Sequence, residues 1–332
     1  MRYKSNAGVQ VSLALSIGSL LLLLSLSVAG RAETVFISNE QDNSVSVLDS
    51  ATLETTDTIA VSRRPRGMAL SADKKLLYVA SGDDNRLDVI DVASRRVIGQ
   101  LPSGADPEFF AMHPSGKRLF VANEDDNVIS EIDLTGKSIR ATAPVGIEPE
   151  GVAVSQDGML VACTSETTSM VHLLDANGLK PLANYLVDPR PRSVLFSPDN
   201  RTIWVSSELR GTVTALEAKT GKQFAHIQFA VPGLTSDQIR AVGLTLSKDG
   251  KRLFVSLGSA NRIAEVNPLD FSVVRYFLVG SRPWHSALSI DEQRLYTANG
   301  NSGDVSVIDL VNNRVLKSIR AGRGPWAVVV AP

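Results

Sequence analysis

Residues 106–146 read DPEFFAMHPSGKRLFVANEDDNVISEIDLTGKSIRATAPVG, and this stretch alternates between apolar runs and polar turns. The runs are Phe109–Met112, Arg118–Ala122, Val128–Asp133 and Ser138–Val145. Short apolar or alternating runs separated by Gly, Pro, Asn and Asp are typical of strands joined by tight turns. The stretch therefore predicts one antiparallel sheet of four strands.

The same unit recurs along the chain. The residues that end its second strand stand 42 positions apart, with a single interval of 50: Asn39, Ser81, Asn123, Ser165, Ser207, Leu257 and Asn299. An insertion at Val231–Arg240 accounts for the longer interval. A period of about 40–45 residues with four strands per unit is the signature of a β-propeller. We therefore predict an all-β fold, a seven-bladed β-propeller with four-stranded antiparallel blades.

The first unit has only three predicted strands, and the missing strand is at the other end of the chain. Residues 325–331, PWAVVVA, match the first strand of a unit. We predict that this strand closes the first blade as its innermost strand, so that no sheet edge stays open there. Residues 33–332 then form a single domain. Its predicted blades are 33–61 plus 325–331, 65–104, 106–146, 149–188, 191–230, 240–280 and 283–322.

The N-terminal segment, residues 1–32, has the pattern of a signal peptide. A basic start precedes an apolar run, Val11–Val28, and small residues follow. Three outcomes stay open: cleavage after Ala32, cleavage after Ala29, and retention of the segment as an anchor. The pattern predicts export to the periplasm, with no membrane association after cleavage.

The net charge bears on the class of binding partner, and the cysteine content bears on disulfide formation. The formal net charge is −1, and removing residues 1–32, which carry three basic residues and no acids, leaves −4. This balance argues against a nucleic-acid partner. The one cysteine, Cys163, cannot form an internal disulfide. We expect a monomer in which Cys163 is a small buried side chain.

The loops that lead into the innermost strands should ring one mouth of the central channel. Their charged and aromatic residues are candidates for binding a ligand or partner: Arg64, Arg66, Glu108, Glu150, Arg190, Arg192, Arg240, Arg282, Trp284, His285, Arg323 and Trp326. Arginine forks bind carboxylates and stack on flat rings, and Trp adds an apolar face, so the set suits a planar anion or an acidic loop. In a second interpretation, acidic residues on the facing loops simply pair with these arginines as structural ion pairs.

The sequence has no recognisable catalytic motif. No two His have metal-ligand spacing, and there is no HExxH, G-x-S-x-G or C-x-x-C-H. The regularly spaced Asp residues, such as Asp49 and Asp133, each precede a turn and should fix it through backbone N–H groups. We therefore predict no catalytic residue and no metal ligand, and a non-enzymatic protein is the preferred interpretation.

Three segments carry a resemblance to a known family: residues 74–104, 117–133 and 293–322. The segments KKLLYVASGDDNRLDVIDVASRRVIGQLPSG, KRLFVANEDDNVISEID and QRLYTANGNSGDVSVIDLVNNRVLKSIRAG resemble the YVTN-type propeller repeat. Length, leader and seven-unit layout are also similar to the β-propeller proteins associated with catabolism that depends on pyrroloquinoline quinone (PQQ). This resemblance implies an exported binding or scaffold protein accessory to PQQ-dependent alcohol catabolism. It makes PQQ a candidate cofactor and a periplasmic dehydrogenase or cytochrome a candidate partner.

Two alternatives follow from related propellers. Propellers with similar repeats include lactonases that use Arg, His and Glu around the channel, and Glu108, Glu150 and His285 are available here. Others are platform subunits of quinoprotein dehydrogenases. The fold alone does not decide among these functions.

Overall fold

The computed structural model describes residues 33–332, and the predicted signal peptide lies outside the described residues. The described chain forms seven separate sheets, each of four antiparallel strands. The innermost strands of neighbouring sheets contact one another in a closed ring around the central channel. The predicted seven-bladed β-propeller is confirmed.

The strands of each blade follow one another along the chain, except in blade 1. Blade 1 contains β1 (Thr34–Asn39), β2 (Ser44–Asp49) and β3 (Glu54–Ala60). Blade 2 contains β4 (Pro65–Leu70), β5 (Leu76–Ser81), β6 (Arg86–Asp91) and β7 (Arg96–Pro102). Blade 3 contains β8 (Pro107–Met112), β9 (Arg118–Asn123), β10 (Val128–Asp133) and β11 (Ser138–Pro144). Blade 4 contains β12 (Pro149–Val154), β13 (Leu160–Ser165), β14 (Met170–Asp175) and β15 (Lys180–Leu186).

The remaining blades have the same layout. Blade 5 contains β16 (Pro191–Phe196), β17 (Thr202–Ser207), β18 (Thr212–Glu217) and β19 (Gln223–Gln228). Blade 6 contains β20 (Ala241–Leu246), β21 (Leu253–Leu257), β22 (Arg262–Val266) and β23 (Val273–Leu278). Blade 7 contains β24 (Pro283–Leu288), β25 (Arg294–Asn299), β26 (Asp304–Asp309) and β27 (Arg314–Arg320). The last strand, β28 (Pro325–Ala331), is the fourth strand of blade 1.

The pairing of β28 with β1 confirms the predicted closure of the first blade. The two strands are antiparallel, with Thr34 opposite Ala331 and Ile37 opposite Val328. Trp326 and Ala327 of β28 are buried. Because the chain ends meet within one sheet, β1 has a partner on each side and presents no open edge.

Burial follows the position of each strand within its blade. The second strand of blade 2, LLYVAS, is buried from Leu77 to Ser81. The outermost strand of blade 1, ETTDTIA, buries only Ile59. Inner strands lie between two neighbouring sheets and therefore need apolar residues on both faces, whereas an outermost strand meets solvent. The core consists of the layers between adjacent blades.

The turns and the insertion between repeats lie where the sequence predicts them. Asp49 Oδ1 accepts hydrogen bonds from the backbone N–H groups of Ala51 and Thr52, both at 2.8 Å. The insertion lies between β19 and β20, contains a short 3₁₀ helix at Ser236–Gln238, and buries Val231 and Ile239. Two further 3₁₀ helices occupy Gly82–Asp84 and Gly258–Ala260. No helix within residues 33–332 has the length and apolar character needed to cross a bilayer.

The loops at the channel mouth are held in a strained backbone conformation. The residue before the innermost strand has a positive φ in most blades, for example 56° at Arg64 and 59° at Arg282. Non-glycine residues rarely adopt this region, at a cost of about 1–3 kcal/mol each. An asparagine of the preceding blade holds the loop, since Asn43 Oδ1 accepts from Arg64 N at 3.0 Å and Asn261 Oδ1 from Arg282 N at 2.9 Å. These hydrogen bonds therefore fix the loop before an innermost strand to the preceding blade.

Candidate functional site in the central channel

The second residue of each innermost strand lies at an equivalent position around the channel. We call this set the channel ring: Arg66, Glu108, Glu150, Arg192, Val242, Trp284 and Trp326. Blades 2 to 5 contribute the charged members, and blades 7 and 1 contribute the two tryptophans. The ring therefore has a charged half and an aromatic half.

Glu108 is the centre of one buried ion-pair group. Its carboxylate, fully buried, accepts from Arg64 Nη2 at 2.9 Å and is also bound by Arg66 Nη1, while Arg66 Nη2 contacts Glu40 at 2.9 Å. Burial alone would raise the pKa of Glu108, but the positive charges of Arg66 and Arg64 hold that pKa below its usual value. These arginines are engaged by carboxylates rather than free.

A half-buried carboxyl, Glu124, lies beside this group. One oxygen each of Asp106, Glu108 and Glu124 fall within 4.8 Å of one another. Burial and the charge of Glu108 raise the pKa of Glu124 to about 7. Arg64 and Arg66 already neutralise this acidic cluster, so it carries no metal assignment.

Arg192 is the centre of a second buried ion-pair group. Its side chain is only 6% exposed, is bound by Glu166, and lies 3.4 Å from Glu150 Oε1 and 3.7 Å from Glu208 Oε2. Arg282 Nη2 completes the group with a 2.6 Å contact to Glu208. Removing one partner of such a group would leave the others buried without a counter-charge.

Glu150 differs from the other buried acids. Within the described residues, its one ion-pair contact is the 3.4 Å approach of Arg192. Burial raises the pKa of Glu150 well above its usual range, Glu108 and Glu166 add to the rise, and Arg192 opposes it. Glu150 therefore holds its proton more tightly than an ordinary glutamic acid does.

The aromatic half of the channel joins residues from three blades. His285 lies 4.3 Å from Trp326 and stacks 5.2 Å from Phe109, centroid to centroid. Arg282 lies over the Trp284 ring at 4.3 Å, which is a cation–π distance. Burial, and then the charges of Arg192 and Arg66, lower the pKa of His285 to about 3. His285 is therefore a neutral imidazole.

An internal cavity of about 70 Å³ lies where the two halves meet. Three ionisable residues border it, Glu150, Arg192 and His285, each from a different blade. The rest of the lining is mostly apolar and includes Val152 and Leu244. A cavity with few polar groups and perturbed ionisable residues is the usual form of a small-molecule site.

Two buried donors near this cavity have no hydrogen-bond partner within residues 33–332. They are Arg192 Nε and Trp326 Nε1. Unpaired buried donors cost about 1–3 kcal/mol each and are uncommon in folded proteins. A bound acceptor atom, from water or from a ligand, would satisfy them.

Glycine creates the space that the mouth residues occupy. Blades 1, 3, 4 and 5 have a glutamate after the second strand, whereas the other three blades have a glycine there. A Cβ on Gly258 would lie 2.6 Å from Arg282 Nη1, and a Cβ on Gly300 would lie 2.5 Å from Trp284 Nε1. Any side chain at these two positions would therefore displace Arg282 or Trp284.

Ten of the twelve candidate residues from the sequence converge on this region: Arg64, Arg66, Glu108, Glu150, Arg190, Arg192, Arg282, Trp284, His285 and Trp326. The other two do not. Arg240 donates to Leu209 O at 3.3 Å, and Arg323, 73% exposed, pairs with Asp42 at the rim. That the mouth binds a ligand or partner stays a prediction.

Sequence reasoning missed Phe109 and treated the acids of the facing loops only as structural partners. The residue after each ring position is Gly67, Gly151 or Gly243 in three blades, and Ser or Ala in two others. Phe109 and His285 are the two large exceptions, and they meet across the channel. A large residue where the repeat has small ones was the signal that could have identified both.

Comparisons with known proteins agree on the propeller fold. Family models match three parts of the chain: a seven-bladed β-propeller lactonase at residues 170–321, a YNCE-like β-propeller at 24–115 and a cytochrome D1 haem domain at 71–190. None of these matches reaches half of the chain. No curated protein matches the chain in sequence.

Solved structures share the architecture at low sequence identity. The periplasmic gluconolactonase PpgL of Pseudomonas aeruginosa is 20% identical, with a TM-score of 0.75 over 91% of this chain and 99% of its own. A candidate 6-phosphogluconolactonase of Bacteroides fragilis is 18% identical, with a TM-score of 0.75 over 92% of this chain and 99% of its own. Kuenenia stuttgartiensis hydrazine synthase is 22% identical, with a TM-score of 0.74 over 83% of this chain and 92% of its own. At these identities the likeness establishes the fold alone.

Proposed function

We propose that this protein is a hydrolase that opens small cyclic esters, lactones, at the cavity bordered by Glu150, Arg192 and His285. The observation that carries the proposal is the meeting of these three ionisable residues at one cavity whose remaining lining is mostly apolar. A carboxyl group with a raised pKa, a guanidinium and a neutral imidazole can supply a proton donor, a stabilising charge and a proton acceptor. Such a combination can catalyse ester hydrolysis.

The roles follow from the charge state of each group. Arg192 Nε, which has no hydrogen-bond partner in the described structure, would donate to the carbonyl oxygen of the ester. His285 would take a proton from the attacking water, whose oxygen forms a bond to the carbonyl carbon. The bond from that carbon to the ring oxygen then breaks, and Glu150 would give its proton to the leaving alkoxide. Proton transfer from the His285 imidazolium back to Glu150 restores the starting state.

The low pKa of His285 is compatible with this role. Besides burial, the charges of Arg192 and Arg66 depress it. Negative charge that develops on the carbonyl oxygen next to Arg192 would offset part of this effect, because opposite charges screen one another at short range. His285 would thus become a stronger base as the transition state forms.

The comparisons support this choice. The lactonase family model covers Arg192 and His285, and the Pseudomonas aeruginosa relative is a gluconolactonase. We therefore favour the lactonase-like alternative over the accessory role in PQQ-dependent alcohol catabolism. None of the three matched family descriptions names PQQ.

The test is hydrolysis of a panel of sugar and aliphatic lactones by the purified protein, followed by acid release. We expect turnover that falls roughly 10²–10⁴-fold in Glu150→Gln and in His285→Asn, with little change in melting temperature. Glu131→Gln is the matched control, because Glu131 is also buried and paired with Arg118 but does not border the cavity. Absence of hydrolysis of every lactone, or full activity in Glu150→Gln, would overturn the proposal.

A further inference from the structure

Apart from the ionisable residues and two serines, the lining of the cavity is mostly hydrocarbon. Its apolar side chains are Met68, Phe109, Val152, Val194, Leu195, Leu244, Ala327 and Val328. They come from blades 1 to 6, so the apolar lining surrounds the cavity on most sides. A substrate group that enters the cavity therefore contacts this apolar surface.

Hydroxyl groups would find few partners there. Ser193 and Ser286 contribute polar atoms to the lining, but the Ser286 hydroxyl already bonds to Thr245 Oγ1 at 2.9 Å. Burying a hydroxyl without a hydrogen bond is unfavourable, whereas burying a methylene group is favourable. The lining therefore discriminates against polyhydroxylated groups.

The size of the cavity limits the group it can hold. Its volume of about 70 Å³ is roughly half that of the apolar cavity, about 150 Å³, known to admit benzene. By that comparison it accommodates roughly three carbon atoms. A ring with several substituents does not fit, and a short chain does.

We infer that the preferred substrates are small lactones that carry a short alkyl substituent, which occupies this cavity while Glu150, Arg192 and His285 contact the ester. This inference rests on the proposed function and refines its substrate class. The ester chemistry is unchanged, because the alkyl group takes no part in it.

The first test compares kcat/KM for γ-lactones with hydrogen, methyl, ethyl, propyl and hexyl substituents, together with an aldonolactone. We expect a gain of about fourfold per methylene up to propyl, and a fall for hexyl. Filling the cavity with Val194→Phe should remove the gain, so that kcat/KM no longer rises from the hydrogen to the propyl substituent. Ala327→Val fills less of the cavity and should also reduce the gain with substituent length. It provides the test if Val194→Phe does not fold.

A second measurement separates failure of this inference from failure of the proposed function. Binding of the corresponding lactams, which resist hydrolysis, is measured by calorimetry on the wild type and on both cavity variants. Alkyl-dependent binding without any lactone turnover would refute the hydrolase and retain the alkyl preference. The inference would be overturned if kcat/KM and lactam affinity were the same for all substituents. A preference for the aldonolactone would also overturn it.

Discussion

Arg192 Nη2 lies 3.4 Å from Glu150 Oε1 in the interior of the propeller, and this contact joins two neighbouring blades. Arg192 is at the same time bound to Glu166 and close to Glu208. The guanidinium of Arg192 is therefore shared among three carboxyl groups. Burial raises the pKa of Glu150, and its single contact with Arg192 at 3.4 Å only partly opposes the rise, whereas Glu166 and Glu208 have closer arginine partners.

Removing Arg192 should strongly destabilise the protein. In Arg192→Ala the carboxylates that it holds stay buried without a counter-charge, and we expect the free energy of unfolding to fall by about 3–5 kcal/mol. Arg323→Ala is the control, because Arg323 is 73% exposed and its pair with Asp42 should contribute under about 1 kcal/mol. Urea denaturation of both variants measures the difference. Equal losses would show that the buried network is not what stabilises the mouth.

The pKa of Glu124 predicts a pH dependence of stability. Its folded-state value of about 7 exceeds the ordinary value of 4.5, so the folded protein binds the proton more tightly than the unfolded chain. The stabilising contribution of this group is complete below about pH 4.5 and is lost as the pH rises through 7. Glu124→Gln should therefore raise the melting temperature relative to wild type at pH 8 but not at pH 4. An equal change in melting temperature at pH 4 and at pH 8 would contradict the raised pKa of Glu124.

Deleting β28 should prevent stable folding. Removal of residues 325–332 leaves β1 with an open edge and takes Trp326 out of the channel. We expect aggregation, or loss of the cooperative unfolding transition in circular dichroism. Deletion of Pro332 alone is the control, since it lies beyond the strand. A cooperatively folded, soluble protein without β28 would show that ring closure is dispensable.

The family resemblance makes PQQ a candidate cofactor, but the contacts at the channel mouth argue against its binding. A tricarboxylate at the mouth would have to compete with carboxylates such as Glu166 and Glu208 for arginines that they already hold. The cavity of about 70 Å³ is also small for a tricyclic ring. We therefore expect no rise in melting temperature on titration with PQQ. A concentration-dependent rise that disappears in Arg192→Ala and Arg282→Ala would instead make the mouth a quinone site.

The fold could be predicted because its signals are local. Strand alternation and turn residues are visible within one repeat, and the 42-residue interval appears when neighbouring repeats are compared. The C-terminal strand PWAVVVA matches the strand that the first repeat lacks. The site depends instead on which of seven equivalent positions carry unusual residues. The pairing of Arg192 with Glu150 and the contact of His285 with Phe109 cross between blades, so no single repeat contains the information.

The raised pKa of Glu150 could not be predicted from the sequence either. Both Glu108 and Glu150 follow a proline at the start of an innermost strand. Glu108 has two arginines at its carboxylate, which lower its pKa, whereas Glu150 has one at 3.4 Å and burial raises its pKa. These arginines belong to other elements of the fold, so no pattern of residue types within one repeat records the difference.

The pH dependence of kcat/KM for lactone hydrolysis tests the central claim most directly. Because Glu150 must hold its proton and His285 must lack one, we predict a rate that is level above about pH 4 and falls as the pH rises through the pKa of Glu150. In Glu150→Gln the rate should be at least about 100-fold lower and show no alkaline fall. A rate that increases with pH throughout, equally in wild type and Glu150→Gln, would contradict the account.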